Sequence, residues 1–250
     1  STAQLVKLRK QIIEAITPYI LNETIDNPFA KGEAITRKRK RFGIISRNLG
    51  DYTDTRALYA QFHGFDKEQF EIYWYSLEVR DRSTLDNSLF SMQLSELIDK
   101  KVTLKGDINE MAAAILSDDL DFLYVGTAFS FAARKLDILL SHRLARIQIG
   151  TTAMVPGSSG LDSYDYLITP PADEEGIKNY QEEATEELLT VDDPLVWYEK
   201  REKVTPNLNI TKQSLGIPDD GIIYCSAASA NKQMPGTIHT WLKILGKVQN

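Results

Sequence analysis

Leu5, Leu8, Ile12, Ile16 and Ile20 recur at steps of three and four, the spacing that lines one stripe of an amphipathic helix. Pro18 ends or kinks that helix, and Asn27-Pro28 marks a turn. The basic run Arg37-Lys38-Arg39-Lys40-Arg41 follows and reads as a solvated face or linker. From Phe42 the pattern alternates. Short β-branched and aromatic runs predict strands at 42–46, 70–76, 122–125, 147–150 and 166–169. Between them, stretches with helical periodicity predict helices at 54–62, 85–98, 108–117 and 131–140. Strands separated by helices pair in parallel, because each crossover needs a helix between neighbours. The fold class expected is therefore α/β, a Rossmann-like parallel sheet preceded by an N-terminal helix.

Residues 173–193 break the pattern with nine acidic residues and one lysine, which predicts a surface helix and loop. The alternation then resumes with a short helix at 211–215 and a Gly216 cap. A turn at Pro218-Asp219-Asp220-Gly221, a strand at 222–226 and a helix at 235–248 follow. This last βα unit reads as the opening of a second α/β domain. The divisions expected are 1–41 (helix and basic linker), 42–205 (Rossmann-like lobe) and 206–250 (start of a second lobe). A chain that begins at Ser1 without methionine, and ends at Asn250 where another strand is due, reads as a piece of a longer protein.

Composition narrows the chemistry. Hydrophobic residues make up 42% and charged residues 26% of the 250 positions, an ordinary globular balance. No apolar run reaches the roughly 20 residues that span a bilayer, and the N-terminus carries no signal-peptide core. Neither membrane association nor export is expected. Cys225 is the single cysteine, which excludes an internal disulfide and fits a reducing, cytoplasmic setting. His63, His142 and His239 are too scattered to suggest a metal cluster, so no metal is expected. A net charge of −6 argues against nucleic acid as the main partner.

Ligands of open α/β sheets bind outside the carboxyl ends of the strands. That rule selects four loops: residues 47–54, 126–128, 150–160 and 227–234. The third is glycine- and hydroxyl-rich, with Gly150, Gly157, Ser158, Ser159 and Gly160 as the candidate wall of a cleft. Its composition fits a flexible connection equally well. In the fourth, Lys232 lies just before Pro235, which is favoured in the first helical turn. A lysine beside free N–H groups at a helix N-terminus makes an anion site; a solvated surface lysine is the alternative.

Arg146-Ile147-Gln148-Ile149-Gly150, the loop Pro156-Gly157-Ser158-Ser159-Gly160, and Asp165-Tyr166-Leu167-Ile168-Thr169 together resemble one segment of the protein O-GlcNAc transferases, glycosyltransferase family 41. Leu215-Gly216-Ile217-Pro218-Asp219-Asp220-Gly221-Ile222-Ile223-Tyr224-Cys225 resembles a second segment. Lys232, Pro235 and Trp241 match a following loop and helix. The resemblance covers residues 42–250. It implies a two-lobed GT-B architecture, a nucleotide-sugar donor, a protein or peptide acceptor, inverting transfer to Ser/Thr or Asn, and no cofactor beyond the donor itself. It also implies that Lys232 contacts the donor diphosphate, with Ser229 where the family carries glutamine. A fixed cation there stabilises the leaving nucleoside diphosphate without a metal.

One departure bears on activity. Where the family carries Gly-Asn-His, this chain reads Gly50-Asp51-Tyr52, and Arg56 stands at a second family histidine. A tyrosine with a pKa of about 10 is a poor base at neutral pH. Tyr52, Asp54 and Asp119 are the catalytic candidates, with Asp51 and Asp118 as further carboxylates; turn and helix capping is the alternative role for each aspartate. The reading is a protein glycosyltransferase whose residues 1–250 are inactive alone. The alternative is a non-catalytic binding or partner module of the same fold.

Overall fold

The computed structural model describes residues 36–47, 49–50, 53–77, 89–126, 135–151, 157–170, 174–192, 209–217, 222–228 and 233–248, with isolated positions of an N-terminal helix between 4 and 15. The chain divides into two compact units, residues 1–199 and 200–250.

The first unit is built on seven strands: β1 (Lys40–Ser46), β2 (Phe70–Leu77), β3 (Lys100–Leu104), β4 (Phe122–Val125), β5 (Ile147–Thr151), β6 (Tyr166–Thr169) and β7 (Glu187–Thr190). The helices are α1 (Thr53–Phe62), α2 (Leu89–Leu97), α3 (Ile108–Leu116), α4 (Lys135–Leu139) and α5 (Glu174–Glu183). The sheet order is β3-β2-β1-β4-β5-β6-β7, and every neighbouring pair is parallel. The Rossmann-like sheet expected from the alternation is therefore present.

Alternation along the strands separates two cores, because successive side chains point to opposite faces. Ile44, Ile72, Trp74 and Tyr124 pack with Leu58, Tyr59 and Phe62 of α1 and Phe90, Leu94 and Leu97 of α2. Ile45, Tyr73, Tyr75, Leu123 and Val125 pack with Ile108, Met111, Ala112 and Ile115 of α3 and Leu136, Ile138 and Leu139 of α4. Helices thus cover both faces, as a fully parallel sheet requires. The best-formed helix signal is at α3. Asp107 accepts from the Glu110 N–H at 2.9 Å, and the Glu110 carboxylate accepts from the Asp107 N–H at 2.7 Å. This reciprocal box satisfies two otherwise orphaned donors.

Three expectations for this unit need correction. The sequence pattern runs from one helix at 85–98 to the next at 108–117, yet β3 lies between them. Its burial runs from exposed to buried only at Leu104, so it is an edge strand whose lysines carry no apolar pattern. The acidic stretch 173–193 likewise contains β7, the opposite edge, as well as the helix α5.

The basic run is also not a solvated linker. Arg37 is ion-paired to Asp119 and lies 3.5 Å from Asp121. The Arg39 guanidinium donates to the Phe70 carbonyl at 2.8 Å, and the Arg41 amide to Asp121 at 2.8 Å. These cations are half-buried at the amino edge of the sheet, because the carboxylates preceding β4 need partners there.

In the second unit a 3-10 turn spans Gln213–Leu215 and ends at Gly216, whose φ of 70° confirms the expected left-handed cap. Helix α6 (Pro235–Leu245) starts with Pro235 in its first turn. The expected strand at 222–226 is not formed: these residues show no strand pairing among the described residues.

Candidate functional site

The chain leaves β1 toward β2 on one side and returns past it to β4 on the other. The crevice at this reversal, outside the carboxyl ends of β1 and β4, is where open α/β sheets hold ligands. The described residues that follow these two strands are Arg47, Leu49 and Gly50 after β1, leading to the first turn of α1, and Gly126 after β4. Gly126 is required by close approach: a Cβ there would lie 2.4 Å from the Leu58 Cδ2 of α1. Its N–H donates to the Ile45 carbonyl at 2.9 Å, so β4 closes tightly on β1 before the chain turns away.

Beneath the crevice the polar groups are satisfied. The Trp74 indole N–H donates to the buried Ser46 hydroxyl at 2.8 Å. The Tyr124 hydroxyl donates to the Gln61 side chain at 2.9 Å. Burial pushes the Tyr124 pKa up to about 12, so this phenol stays protonated at neutral pH. Arg56 stacks over the Phe90 ring with its guanidinium carbon 4.2 Å from the centroid. That contact ties the start of α1 to α2 by a cation–π interaction.

Of the candidate catalytic residues, Asp54 lies at this edge. It is half-buried in the first turn of α1 and accepts from the Thr55 N–H at 3.1 Å. That bond comes from its immediate neighbour inside the helix, so it is not the N-cap bond, which an N-cap side chain accepts from the second or third helical residue. Asp119 and Asp118 do not join it. Both precede β4 and so sit at the amino edge, separated from the carboxyl edge by a strand of roughly 13 Å. Asp119 adopts φ 47° and is ion-paired to Arg37 and Arg146. Burial would raise its pKa, but hydrogen bonds from Arg146 and Arg37 outweigh it and hold the carboxyl below its ordinary value. Asp118 is buried and accepts from the Tyr75 hydroxyl at 2.6 Å and from Lys100. Burial, then the hydrogen bond to Asp118, push the Tyr75 pKa upward. These two aspartates are neighbours of each other and not of Asp54.

The glycine-rich loop also differs from the expected cleft wall. Gly150 is internal to β5, where a Cβ would stand 3.1 Å from Leu167. Ser158 and Ser159 are 2% and 1% exposed; the Ser158 hydroxyl and the Ser159 N–H donate to the Glu186 carboxylate, and the Ser159 hydroxyl accepts from the Leu161 N–H. Gly157 and Gly160 take φ 118° and 73°, conformations that favour glycine. Residues 157–160 are thus a buried brace. Sequence reading passed over Glu186 because it sits among acidic residues of the ordinary solvated kind; only its burial distinguishes it. Asp51, Tyr52, Ser229 and Lys232 lie outside the described residues. Beside Lys232, Gln233 donates to the Ala228 carbonyl at 3.1 Å, and Met234 caps α6 in an extended conformation. Among the described residues no group of His, Cys, Asp and Glu is arranged to hold a metal ion, and no helix is long and apolar enough to cross a membrane.

No protein-family model matches the chain. A curated relative from Arabidopsis thaliana, described as a probable UDP-N-acetylglucosamine–peptide N-acetylglucosaminyltransferase SEC, is 22% identical over 220 residues, covering 85% of this chain and 21% of the relative. Among solved structures, a lysine-to-methionine variant of the Thermobaculum terrenum O-GlcNAc transferase matches with a TM-score of 0.56 and 18% identity. That match covers 75% of this chain and 34% of the other. The chain therefore spans about a fifth of the curated relative and a third of the solved one. In sequence and in fold, this polypeptide is similar to the protein O-GlcNAc transferases of glycosyltransferase family 41.

Proposed function

We propose that the protein containing this chain transfers a sugar from a UDP-linked nucleotide sugar to a Ser/Thr or Asn side chain of a protein, by inverting displacement and without a bound metal. The observation that carries this reading is the likeness to a UDP-N-acetylglucosamine–peptide transferase across 85% of the chain. The matching α/β lobe supports it. In this reading Lys232, at the entrance to α6, pairs with the donor diphosphate and stabilises the charge that develops as it leaves. Ser229 shares that loop. Asp54, at the carboxyl edge, is the described carboxylate best placed to take the acceptor proton. Residues 1–250 alone are inactive, because they hold only part of the donor-binding lobe. The exposed free thiol of Cys225 fits a reducing, cytoplasmic compartment.

A second reading keeps the fold as a non-catalytic partner module. The observation that favours it is Tyr52 at the position where the family carries histidine. Titration calorimetry of UDP and UDP-sugars into the full-length protein, with Lys232→Ala alongside, separates the two. The transferase reading expects binding that weakens by about 1.5 to 3 kcal/mol in the variant, the size of a charged hydrogen bond. A well-folded protein that binds neither ligand contradicts it.

A further inference from the structure

Among the described residues β7 is the outermost strand on its side of the sheet, and its pairing shows which backbone groups face outward. The Glu187 N–H donates to the Asp165 carbonyl at 2.9 Å, and the Val191 N–H to the Thr169 carbonyl at 3.2 Å. Strand residues alternate in direction. Glu187 and Val191 therefore face β6, while Glu186, Leu188 and Thr190 turn their backbone groups to the open side. Such an edge is a template for the strand of another chain. The opposite edge strand, β3, opens with the exposed Lys100 and Lys101, the charged defence that edge strands commonly carry. β7 has neither lysine nor proline, and Leu189 is 38% exposed.

The side chain of Gln181, from the last turn of α5, occupies this edge. Its Nε2 donates to the Glu186 carbonyl at 2.8 Å, and its Oε1 accepts from the Leu188 N–H at 3.0 Å. A residue on a neighbouring parallel strand bonds in the same way: its N–H meets the carbonyl before the opposite residue, and its C=O meets the N–H after it. The Gln181 carboxamide thus stands where one residue of an eighth parallel strand would, opposite Glu187. This explains an amide in an acidic run. Glu182, Glu183, Glu186 and Glu187 follow it, but a carboxylate at 181 could only accept and would set an oxygen against the Glu186 carbonyl.

We propose that Gln181 closes the β7 edge against strand addition by a second copy of this chain. A second copy carries the same open groups, and two identical edges can satisfy each other about a twofold axis. This role is independent of the transferase reading. The test uses the full-length protein with Gln181→Ala and with Gln181→Met, which keeps the length but has no amide. Each is also combined with Thr190→Pro, which removes an outward N–H and leaves the ladder to β6 intact. Hydrogen exchange of the peptide spanning residues 185–192 is measured in dilute solution, and sedimentation velocity over a concentration series. In both single variants one amide of that peptide should exchange about tenfold faster, as loss of a single hydrogen bond allows. A concentration-dependent association step absent from the wild type should appear with it, and Thr190→Pro should abolish that step. Unchanged exchange overturns the bridge. Faster exchange with the association state of the wild type at every concentration overturns the closure. An association step that survives Thr190→Pro overturns pairing through β7.

Discussion

Two stretches of this chain carry nearly the same pattern and meet opposite fates. Gly43-Ile44-Ile45-Ser46 lies in β1, between β2 and β4, and Ile44 and Ile45 are wholly buried. Gly221-Ile222-Ile223-Tyr224-Cys225-Ser226 has the same glycine, the same isoleucine pair and a serine close behind. There Ile222, Ile223 and Tyr224 are 66%, 52% and 59% exposed. With Trp241, Ile244 and Leu245 of α6 they line an open apolar groove. The residues do not differ enough to explain this; the neighbours do. A parallel strand is buried on both faces only when strands and helices surround it. An apolar run signals that burial is available, and the rest of the fold decides whether it happens.

That contrast can be tested by asking each unit for the stability its burial implies. Trp74→Ala in the first unit removes a fully buried indole and its bond to Ser46. Urea unfolding of residues 1–250 should show a loss of about 3 to 5 kcal/mol. Trp241→Ala in the second unit should cost less than about 1 kcal/mol, as exposed positions do. Equal losses would mean that the groove is covered in solution.

Acid should also act mainly on the first unit. In Asp99, burial opposes ionisation, but bonds from Lys67, the Ile72 amide and Arg39 prevail and lower the pKa. Asp119 is lowered in the same manner by its two arginines. A carboxyl whose folded pKa is depressed contributes stability that is complete above the ordinary value of 3.8 and lost as pH falls through the folded value. Circular dichroism at pH steps below 4 should show loss of the β-sheet signal, while α6 retains its helicity. Simultaneous loss of both would indicate that acid sensitivity is not confined to the paired carboxylates.

The smallest effect concerns Cys225. As an exposed thiol, it should react with a disulfide reagent in the native chain within a fewfold of the rate in denaturant. Strong native protection would show that the groove is occupied.

The sheet's centre was legible in the sequence because β1, β2, β4, β5 and β6 are apolar runs, set apart by helical periods as far as β5 and by a glycine-rich loop between β5 and β6. Its edges were not. Lys100-Lys101-Val102-Thr103-Leu104 and Glu187-Leu188-Leu189-Thr190 have one face or end in water, and polar edges discourage pairing with other chains. The amino-edge ion pairs were hidden for another reason: Arg37 and Asp119 are 82 positions apart, and no local pattern links them. The candidate site was readable only through general rules. The carboxyl-edge rule located Asp54, but it also enlisted the hydroxyls of Ser158 and Ser159, which turn inward. Glu186, which holds the Ser158 hydroxyl and the Ser159 amide, has no spacing or flanking residue that sets it apart from the acids around it.

The charged cluster at the amino edge also bears on how such a sheet can change over generations. Arg37, Arg41 and Arg146 bind Asp118, Asp119 and Asp121 across the starts of β1, β4 and β5, so strand register is fixed at the end away from the crevice. Lengthening a loop at the other end then adds chiefly the entropy of closing it, about 0.6 kcal/mol for each doubling. One end of the sheet is thereby committed to keeping the strands in step. The other is free to accumulate insertions and new side chains, and with them new specificities, without reopening the question of the fold.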